Sequence, residues 1–184
     1  MRRARADGAG PIGYDGTVRA ALLVMLSSLA LAPQTPDIHF VPTTNGVIDV
    51  MLTMAHVTPD DIVYDLGSGD GAIVLRAAEK YGARGVGIEI DPQLVKTARE
   101  RARKRGLADR VTFLEGDLFK ADISAATVVT LYLSPSVNRR LEPKLMHELR
   151  PGTRVVSHRF EMYEWPPDAR RKAGGRDIYL WTIR

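Results

Sequence analysis

The chain has 184 residues, a length typical of one domain built around one hydrophobic core. It contains no cysteine, which excludes disulfides, thiolate nucleophiles and thiolate metal sites. The formal net charge of +4 is mildly basic, and the four histidines are too scattered for a metal-ligand spacing, so we expect no metal centre.

The amino terminus combines basic and apolar residues. The apolar run from Ala20 to Ala32 follows four arginines, a pattern typical of a signal peptide. Its thirteen residues make only about 20 Å of helix, short for a hydrocarbon core of about 30 Å. An export signal, a membrane contact through residues 20–32, a helix packed on the domain and translated upstream sequence all stay open. We assign residues 1–37 to this segment and a linker, and residues 38–184 to the folded domain.

Helices and strands alternate along the rest of the chain. Apolar residues at a helical spacing predict a helix near residues 47–55, capped by Thr43 or Thr44. Strands are predicted at 62–66, 85–90, 111–115, 126–133, 153–160 and 177–183, with helices at about 71–81, 92–105 and 136–149. Asp91 and Pro92 are predicted as the N-cap and the first residue of the helix at 92–105. This alternation with short loops predicts an α/β fold, a Rossmann-like doubly wound, mostly parallel sheet with helices on both faces.

The carboxyl-terminal part of the sheet departs from this regular alternation. Between the fifth strand and the last one, the sequence indicates only a basic turn at residues 170–172. We therefore expect a sheet that is shortened at its C-terminal hairpin. An unpaired sheet edge would favour a homo-oligomer.

A glycine-rich turn follows the first strand. Residues 63–71 read Val-Tyr-Asp-Leu-Gly-Ser-Gly-Asp-Gly. Gly67 and Gly69 allow the backbone to turn sharply and approach a ligand closely. The helix predicted from residue 71 would present its free N–H groups to the same ligand. The turn is therefore predicted to bind a nucleotide.

Acidic residues are predicted at the ends of the first three strands. Glu89 could accept both hydroxyls of a ribose, and Asp117 could accept the amino group of an adenine. Asp65 would repel the pyrophosphate of a dinucleotide, and the spacing G-x-G-x-G differs from the dinucleotide pattern G-x-G-x-x-G. A cationic nucleoside, S-adenosylmethionine, fits this set of acids better, with Asp65 near its ammonium group.

The segment from Asp65 to Gly71 resembles the first motif of the class I (seven-stranded) methyltransferases, and the resemblance extends from about residue 40 to the end. It implies that S-adenosylmethionine is the cofactor, with a threonine hydroxyl before the first strand near its carboxylate. The residues that the resemblance implies for cofactor binding are Thr43, Asp65, Gly67, Ser68, Gly69, Glu89, Asp117, Leu118 and Leu131. Asp70 either orders the turn or contacts the cofactor.

The end of the fourth strand bears on the methyl acceptor. Residues 131–135 read Leu-Tyr-Leu-Ser-Pro and lack the Asp/Asn-Pro-Pro-Tyr motif of enzymes that methylate amines of nucleic acids. With residues 137–141 and 155–160, this form resembles the short protein-lysine methyltransferases, including mitochondrial ones. The resemblance implies a protein lysine as acceptor, with Tyr132 as the wall of its channel, although Tyr132 could equally be a core residue. His158 and Arg159 could shape the mouth of that channel.

Other interpretations stay open. A nicotinamide-dependent oxidoreductase and a non-catalytic binding module on the same fold are the alternatives to a methyltransferase. Binding of nucleic acid is not expected, because the basic cluster at residues 99–105 is typical of a solvated helix face. A cytoplasmic or membrane-associated location is favoured, since the cofactor is made inside cells, and export is the alternative.

Overall fold

The structure, a computed structural model, describes residues 43–184, and these residues form one mixed sheet flanked by helices. The strands are β1 Ile62–Leu66, β2 Arg84–Glu89, β3 Val111–Glu115, β4 Val128–Leu131, β5 Arg154–His158, β6 Ala169–Ala173 and β7 Arg176–Thr182. The helices are α1 Asn45–Met54, α2 Ala72–Tyr81, α3 Pro92–Lys104 and α4 Pro135–Glu148. The predicted α/β fold is confirmed.

The strand order is β3-β2-β1-β4-β5-β7-β6. Strands β1 to β5 pair in parallel, and β7 pairs antiparallel with both β5 and β6. The chain crosses over between β3 and β4, so the order reverses at the β1–β4 pair. In open α/β sheets the ligand crevice lies at the carboxyl ends of the strands at such a reversal. This edge is called the rim below.

The prediction of a shortened C-terminal hairpin is wrong. Residues 170–172, predicted as a basic turn, lie within β6 and pair with β7. The sequence hid this strand because its Ala-Arg-Arg-Lys-Ala residues are almost all exposed, so no alternation of apolar and polar residues marks it. The fold is shortened elsewhere: no helix follows β3 or β5 in the part of the chain that the structure describes, and irregular segments at 116–127 and 159–168 take their places.

The two faces of the sheet are covered differently. Helices α1, α2 and α3 pack on one face through two apolar clusters. The other face is covered by α4 together with apolar side chains of the two irregular segments, among them Ile123 and Met162. Trp181 of β7 is fully buried on this second face, and its indole N–H donates to the carbonyl of Trp165 at 2.8 Å. Loops thus complete the core where helices are absent.

Two helix starts show which of the predicted N-cap residues form a capping hydrogen bond. Asp91 caps α3, because its side chain accepts the N–H of Gln93 at 2.8 Å, and Pro92 follows at the first helical position. Thr44 occupies the N-cap position of α1, but its side chain makes no capping bond, so the predicted threonine cap is wrong in its hydrogen bond. Backbone interactions and packing must hold that helix end.

An ion pair joins the strands at the edge opposite the rim. The guanidinium of Arg154 on β5 donates to both carboxylate oxygens of Asp61 at 2.8 and 2.9 Å. It also donates to the carbonyls of Ala55, which follows α1, and Thr127, which precedes β4. Asp61 directly precedes β1, so this one side chain ties β5 to β1, β4 and α1.

Several predictions fall on residues outside the described range. The signal-like segment 1–37, its boundary with the domain and the membrane contact through residues 20–32 remain predictions. Within residues 43–184, none of the helices combines the length and the apolar character needed to cross a bilayer.

Candidate active site

The glycine turn after β1 depends on backbone conformations that favour glycine. Gly67, Gly69 and Gly71 all have positive φ angles, of 79°, 53° and 80°. A Cβ atom on Gly71 would lie 2.5 Å from the ring of Phe113, so a side chain there would also collide with the core. The N–H groups of Gly67 and Ser68 both donate to the carbonyl of Ile88, which fixes the turn over the end of β2.

Asp65 lies buried beneath this turn. Its carboxylate accepts the hydroxyl of Thr130 on β4 at 2.8 Å. Burial raises the pKa of Asp65 to about 7; the Thr130 bond opposes this, while the negative charges of Glu89 and Asp70 add to it. Near neutral pH the carboxyl therefore holds a proton part of the time, and an approaching cation would favour its ionised form.

Glu89 organises the backbone around it. Its Oε2 atom accepts the N–H of Gly69 at 2.8 Å, and its Oε1 atom accepts those of Ile90 and Asp91 at 2.8 and 3.0 Å. A carboxylate has about four acceptor positions, so Oε2 keeps one for a ligand hydroxyl. Asp70 is paired with Arg101 of α3, which supports its interpretation as a residue that orders the turn.

The third acid follows β3. One carboxylate oxygen of Asp117 accepts the N–H of Phe119 at 2.9 Å, whereas the other lies 3.9 Å from the ammonium of Lys120. The Asp117 side chain is 34% exposed, so its second oxygen is accessible to a ligand donor. The N–H of Gly116 donates to the carbonyl of Glu89, which brings this strand end beside the second one. The predicted row of acids along the rim is present.

For four other predicted cofactor residues, the structure gives less direct evidence of a role. The hydroxyl of Ser68 is buried without a partner among residues 43–184, and a Cβ on Gly87 would lie 2.6 Å from it. Leu131 is fully buried in the cluster on the α4 side, so only its backbone lies at the rim. Leu118 packs against that cluster, and Thr43, partly buried, precedes α1. Cofactor contacts by these residues stay predictions.

The residues present fit S-adenosylmethionine. The turn offers a close backbone approach, and the rim offers carboxylates for an ammonium, for ribose hydroxyls and for an amine. The same acids would repel a pyrophosphate. No group of acidic and histidine side chains arranged to hold a metal ion occurs within residues 43–184.

An aromatic pair borders this site at the next two strands of the rim. Tyr132 follows β4 and His158 ends β5, and their ring centroids are 4.2 Å apart. Burial lowers the pKa of His158, and the positive charges of Arg159 and Arg176 act in the same direction. Arg159 has a positive φ of 75°, so the chain turns sharply after His158.

Helix α4 holds the segment that follows this pair, an arrangement that sequence reasoning missed. The buried amide of Asn138 donates to the carbonyls of Phe160 and Glu161 at 3.3 and 3.4 Å. The buried carboxylate of Glu142 accepts the N–H groups of Tyr163 and Glu164. The available signal was the pair of polar residues four apart on the apolar side of α4.

The model of the ANTKMT methyltransferase domain matches residues 65–169, which is more than half of the chain. The chain belongs to this methyltransferase family. The matched range contains the glycine turn, the row of acids and the aromatic pair. The chain is therefore an S-adenosylmethionine-dependent methyltransferase. Neither an oxidoreductase nor a non-catalytic binding module is needed to explain the site.

Proteins named as methyltransferases are similar to this chain over most of its length. A protein-lysine N-methyltransferase of Saccharolobus islandicus is 47% identical over 80% of this chain and 95% of its own. An adenine nucleotide translocase lysine N-methyltransferase of Mus musculus is 36% identical over 88% of this chain and 70% of its own. A structure described as an RNA methyltransferase of Salinibacter ruber, in complex with S-adenosylhomocysteine, is 60% identical, with a TM-score of 0.77 over 78% of this chain and 94% of its own.

Proposed function

We propose that this methyltransferase transfers a methyl group to the ε-amine of a lysine in a protein. The observation that carries the proposal is the aromatic pair of Tyr132 and His158, which gives the rim beside Asp65 an aromatic wall. The loop after β4 also lacks the Asp/Asn-Pro-Pro-Tyr motif that receives the amine of a base in enzymes of this fold that methylate nucleic acids. The relatives named for lysine methylation support the same acceptor.

The roles of the cofactor residues belong to this proposal. When bound, S-adenosylmethionine supplies a methyl group on a sulfonium. Asp65 faces its ammonium, the free acceptor position of Glu89 takes a ribose hydroxyl, and Asp117 accepts the adenine amine. Gly67 and Gly69 allow the backbone to approach closely.

The charges around the acceptor position favour a neutral amine. A lysine must lose its proton before its nitrogen can attack, and an apolar site disfavours the charged form. Arg159 and Arg176 act on His158 with positive charge, and they would act on an ammonium beside it in the same way. The chain thus contributes positioning and an unfavourable environment for the protonated acceptor, without a strong base.

RNA is the second candidate substrate, because the Salinibacter ruber relative is described as an RNA methyltransferase. Three arginines of the basic cluster at residues 99–105 give it little support, since they are already engaged within the protein. Arg99 donates to the carbonyl of Phe113, Arg101 pairs with Asp70, and Arg105 lies 3.5 Å from Glu79.

Labelling separates the two substrates. The protein is incubated with a cell extract and cofactor carrying a labelled methyl group, and the product is treated with either protease or ribonuclease. We expect protease to release the label, ribonuclease to leave it, and mass spectrometry of peptides to find it on lysine. Release by ribonuclease alone would identify RNA and contradict the proposal.

A variant pair checks that the label comes from this site. Glu89→Ala removes the acceptor of three backbone N–H groups, and we expect it to abolish labelling and to weaken S-adenosylhomocysteine binding at least about tenfold. Glu100→Ala removes an exposed acid on α3 and should leave both unchanged. Equal labelling by both variants would refute the assignment of Glu89.

We also propose that the enzyme works in the cytoplasm or at a membrane, since its cofactor is made inside cells. Fractionation of cells that express the full chain tests this proposal. Recovery outside the cell would instead support the signal-like interpretation of residues 1–37.

A further inference from the structure

His158 carries two buried polar atoms without partners. Its side chain is buried, and neither ring nitrogen has a hydrogen-bond partner among residues 43–184. Most buried side-chain polar atoms in proteins are hydrogen-bonded, so such a group requires an explanation. His158 ends β5 and is in register with Ile178 of β7.

The ring lies on the same side of the sheet as Asp65. Side chains alternate along a strand, and Thr130, which donates to Asp65, lies two residues before Tyr132. Tyr132 therefore follows Thr130 on that side, and its ring packs against that of His158 at an interplanar angle of 41°. On β5, Val156 packs in the cluster with α1, and His158 lies two residues further on the same side. The imidazole thus borders the cofactor site and is remote from α4.

The charged groups that shift the pKa of His158 are cations. Arg159 follows it directly and Arg176 lies on β7, and together with burial they lower its pKa. Tyr132 is the aromatic group in contact with the ring. In the neutral imidazole one nitrogen is a donor and the other is an acceptor.

We propose that His158 is the positioning residue for the acceptor amine. Its unprotonated nitrogen accepts an N–H of the neutral lysine amine and so directs the nitrogen lone pair toward the transferable methyl group. This inference rests on the proposed lysine acceptor. The lone pair forms the new N–C bond, the C–S bond breaks, and its electrons stay on sulfur. The product ammonium keeps its protons until it leaves for solvent, so the imidazole is unchanged.

The number of N–H groups on the acceptor gives this role a distinctive consequence. A neutral lysine amine has two N–H groups, a monomethylated amine has one, and a neutral dimethylated amine has none. His158 can therefore hold the acceptor for the first and second transfers, and it has nothing to hold in the third. A residue that only supported the fold would affect all three transfers alike.

The test uses two variants of the full chain. His158→Phe keeps a ring against Tyr132 but removes both nitrogens, and His158→Gln restores an acceptor on a flexible side chain. The substrate is a synthetic peptide around the lysine that mass spectrometry identifies, made in the unmethylated, monomethylated and dimethylated forms. The measurements are kcat and KM for each peptide, with S-adenosylhomocysteine affinity as the check on folding and cofactor binding.

For His158→Phe we expect kcat to fall about tenfold on the unmethylated and monomethylated peptides, the loss of about one hydrogen bond. The rate on the dimethylated peptide, where the wild type accepts it, should change less than about twofold, and S-adenosylhomocysteine affinity should be unchanged. His158→Gln should recover at least part of the loss. An unchanged kcat on the unmethylated peptide, a loss on the dimethylated peptide as large as that on the other two, or no recovery with glutamine would overturn the proposal. A wild type that methylates no lysine peptide would instead refute the proposed function.

Discussion

The sheet of this methyltransferase consists of two halves that are stabilised in different ways. The half with β1, β2 and β3 holds the proposed cofactor residues, and its connections are the helices α2 and α3. The half with β4 to β7 holds the aromatic pair. One of its faces is covered by α4 and the two irregular segments. In the first half helices with apolar faces cover the strands, whereas in the second half buried side chains also hydrogen-bond to the backbone of the covering loop.

This difference has a physical reason. A helix satisfies its own backbone groups, so packing it on a sheet needs only an apolar face. An irregular segment cannot do so, and its buried N–H and C=O groups need partners from elsewhere. Asn138, Glu142 and Trp181 act on such backbone groups of the segment after β5. Changes to polar residues should therefore be more damaging in the second half than in the first.

The largest expected effect comes from the ion pair that joins the halves. Arg154→Ala leaves Asp61 buried without its cation, and we expect the free energy of unfolding to fall by about 3–5 kcal/mol. Urea denaturation measures the change. Lys96→Ala, on the exposed side of α3, should change it by less than about 0.5 kcal/mol. A loss below about 1 kcal/mol for Arg154→Ala would show that the halves are held together without this pair.

The second largest expected effect comes from a buried carboxylate that lies wholly within the second half. Glu142→Leu removes the acceptor of two backbone N–H groups, and we expect a loss of about 1–3 kcal/mol together with a lower kcat. Cofactor affinity should stay within about twofold, because the segment after β5 lies apart from the glycine turn. Glu142→Gln keeps one acceptor oxygen and should recover most of the stability. A weakened cofactor affinity in Glu142→Leu would contradict the separation of the two halves.

A pH profile tests the first half. Because the pKa of Asp65 in the free protein is about 7, its proton must leave before the ionised carboxylate can meet a ligand ammonium. S-adenosylhomocysteine affinity should therefore rise about tenfold per pH unit as the pH increases toward 7, and it should level off above that value. Calorimetry across this range gives the profile. In Asp65→Asn the binding should be weak and nearly independent of pH, and an unchanged slope would assign the titration to another group.

The smallest expected effect comes from the N-cap of a helix in the first half. Asp91→Ala removes the N-cap of α3 and should cost about 1 kcal/mol, while its backbone N–H still donates to Glu89. Cofactor affinity should therefore change little. Asp109→Ala, an exposed acid in a loop, is the matched control and should leave the unfolding midpoint unchanged. If Asp91→Ala abolished cofactor binding, the cap would have to be counted as part of the site.

The same difference explains how far the sequence could predict the structure. Short-range signals specified the first half: the glycine turn, the Asp91-Pro92 helix start and the acids at strand ends are all found at their predicted places. Strand β6 was missed because its stability comes from pairing with β7, which its exposed residues do not reveal. The partners of Asn138 and Glu142 lie about twenty residues away and are backbone atoms, so no pattern of residue types indicates them. The resemblance to the class I methyltransferases depended on the glycine turn of the first half, whereas the narrower resemblance to protein-lysine methyltransferases depended on residues 131–135, 137–141 and 155–160 of the second half.

Strand β6 has a consequence for self-association. It forms one border of the sheet and carries Arg170, Arg171 and Lys172 in succession, all exposed. If two copies joined their sheets border to border, these cations would face their own counterparts, and like charges directly opposite each other destabilise strand pairing. A dimer that continues the sheet through β6 is thus disfavoured, and the predicted homo-oligomer would have to form through another surface.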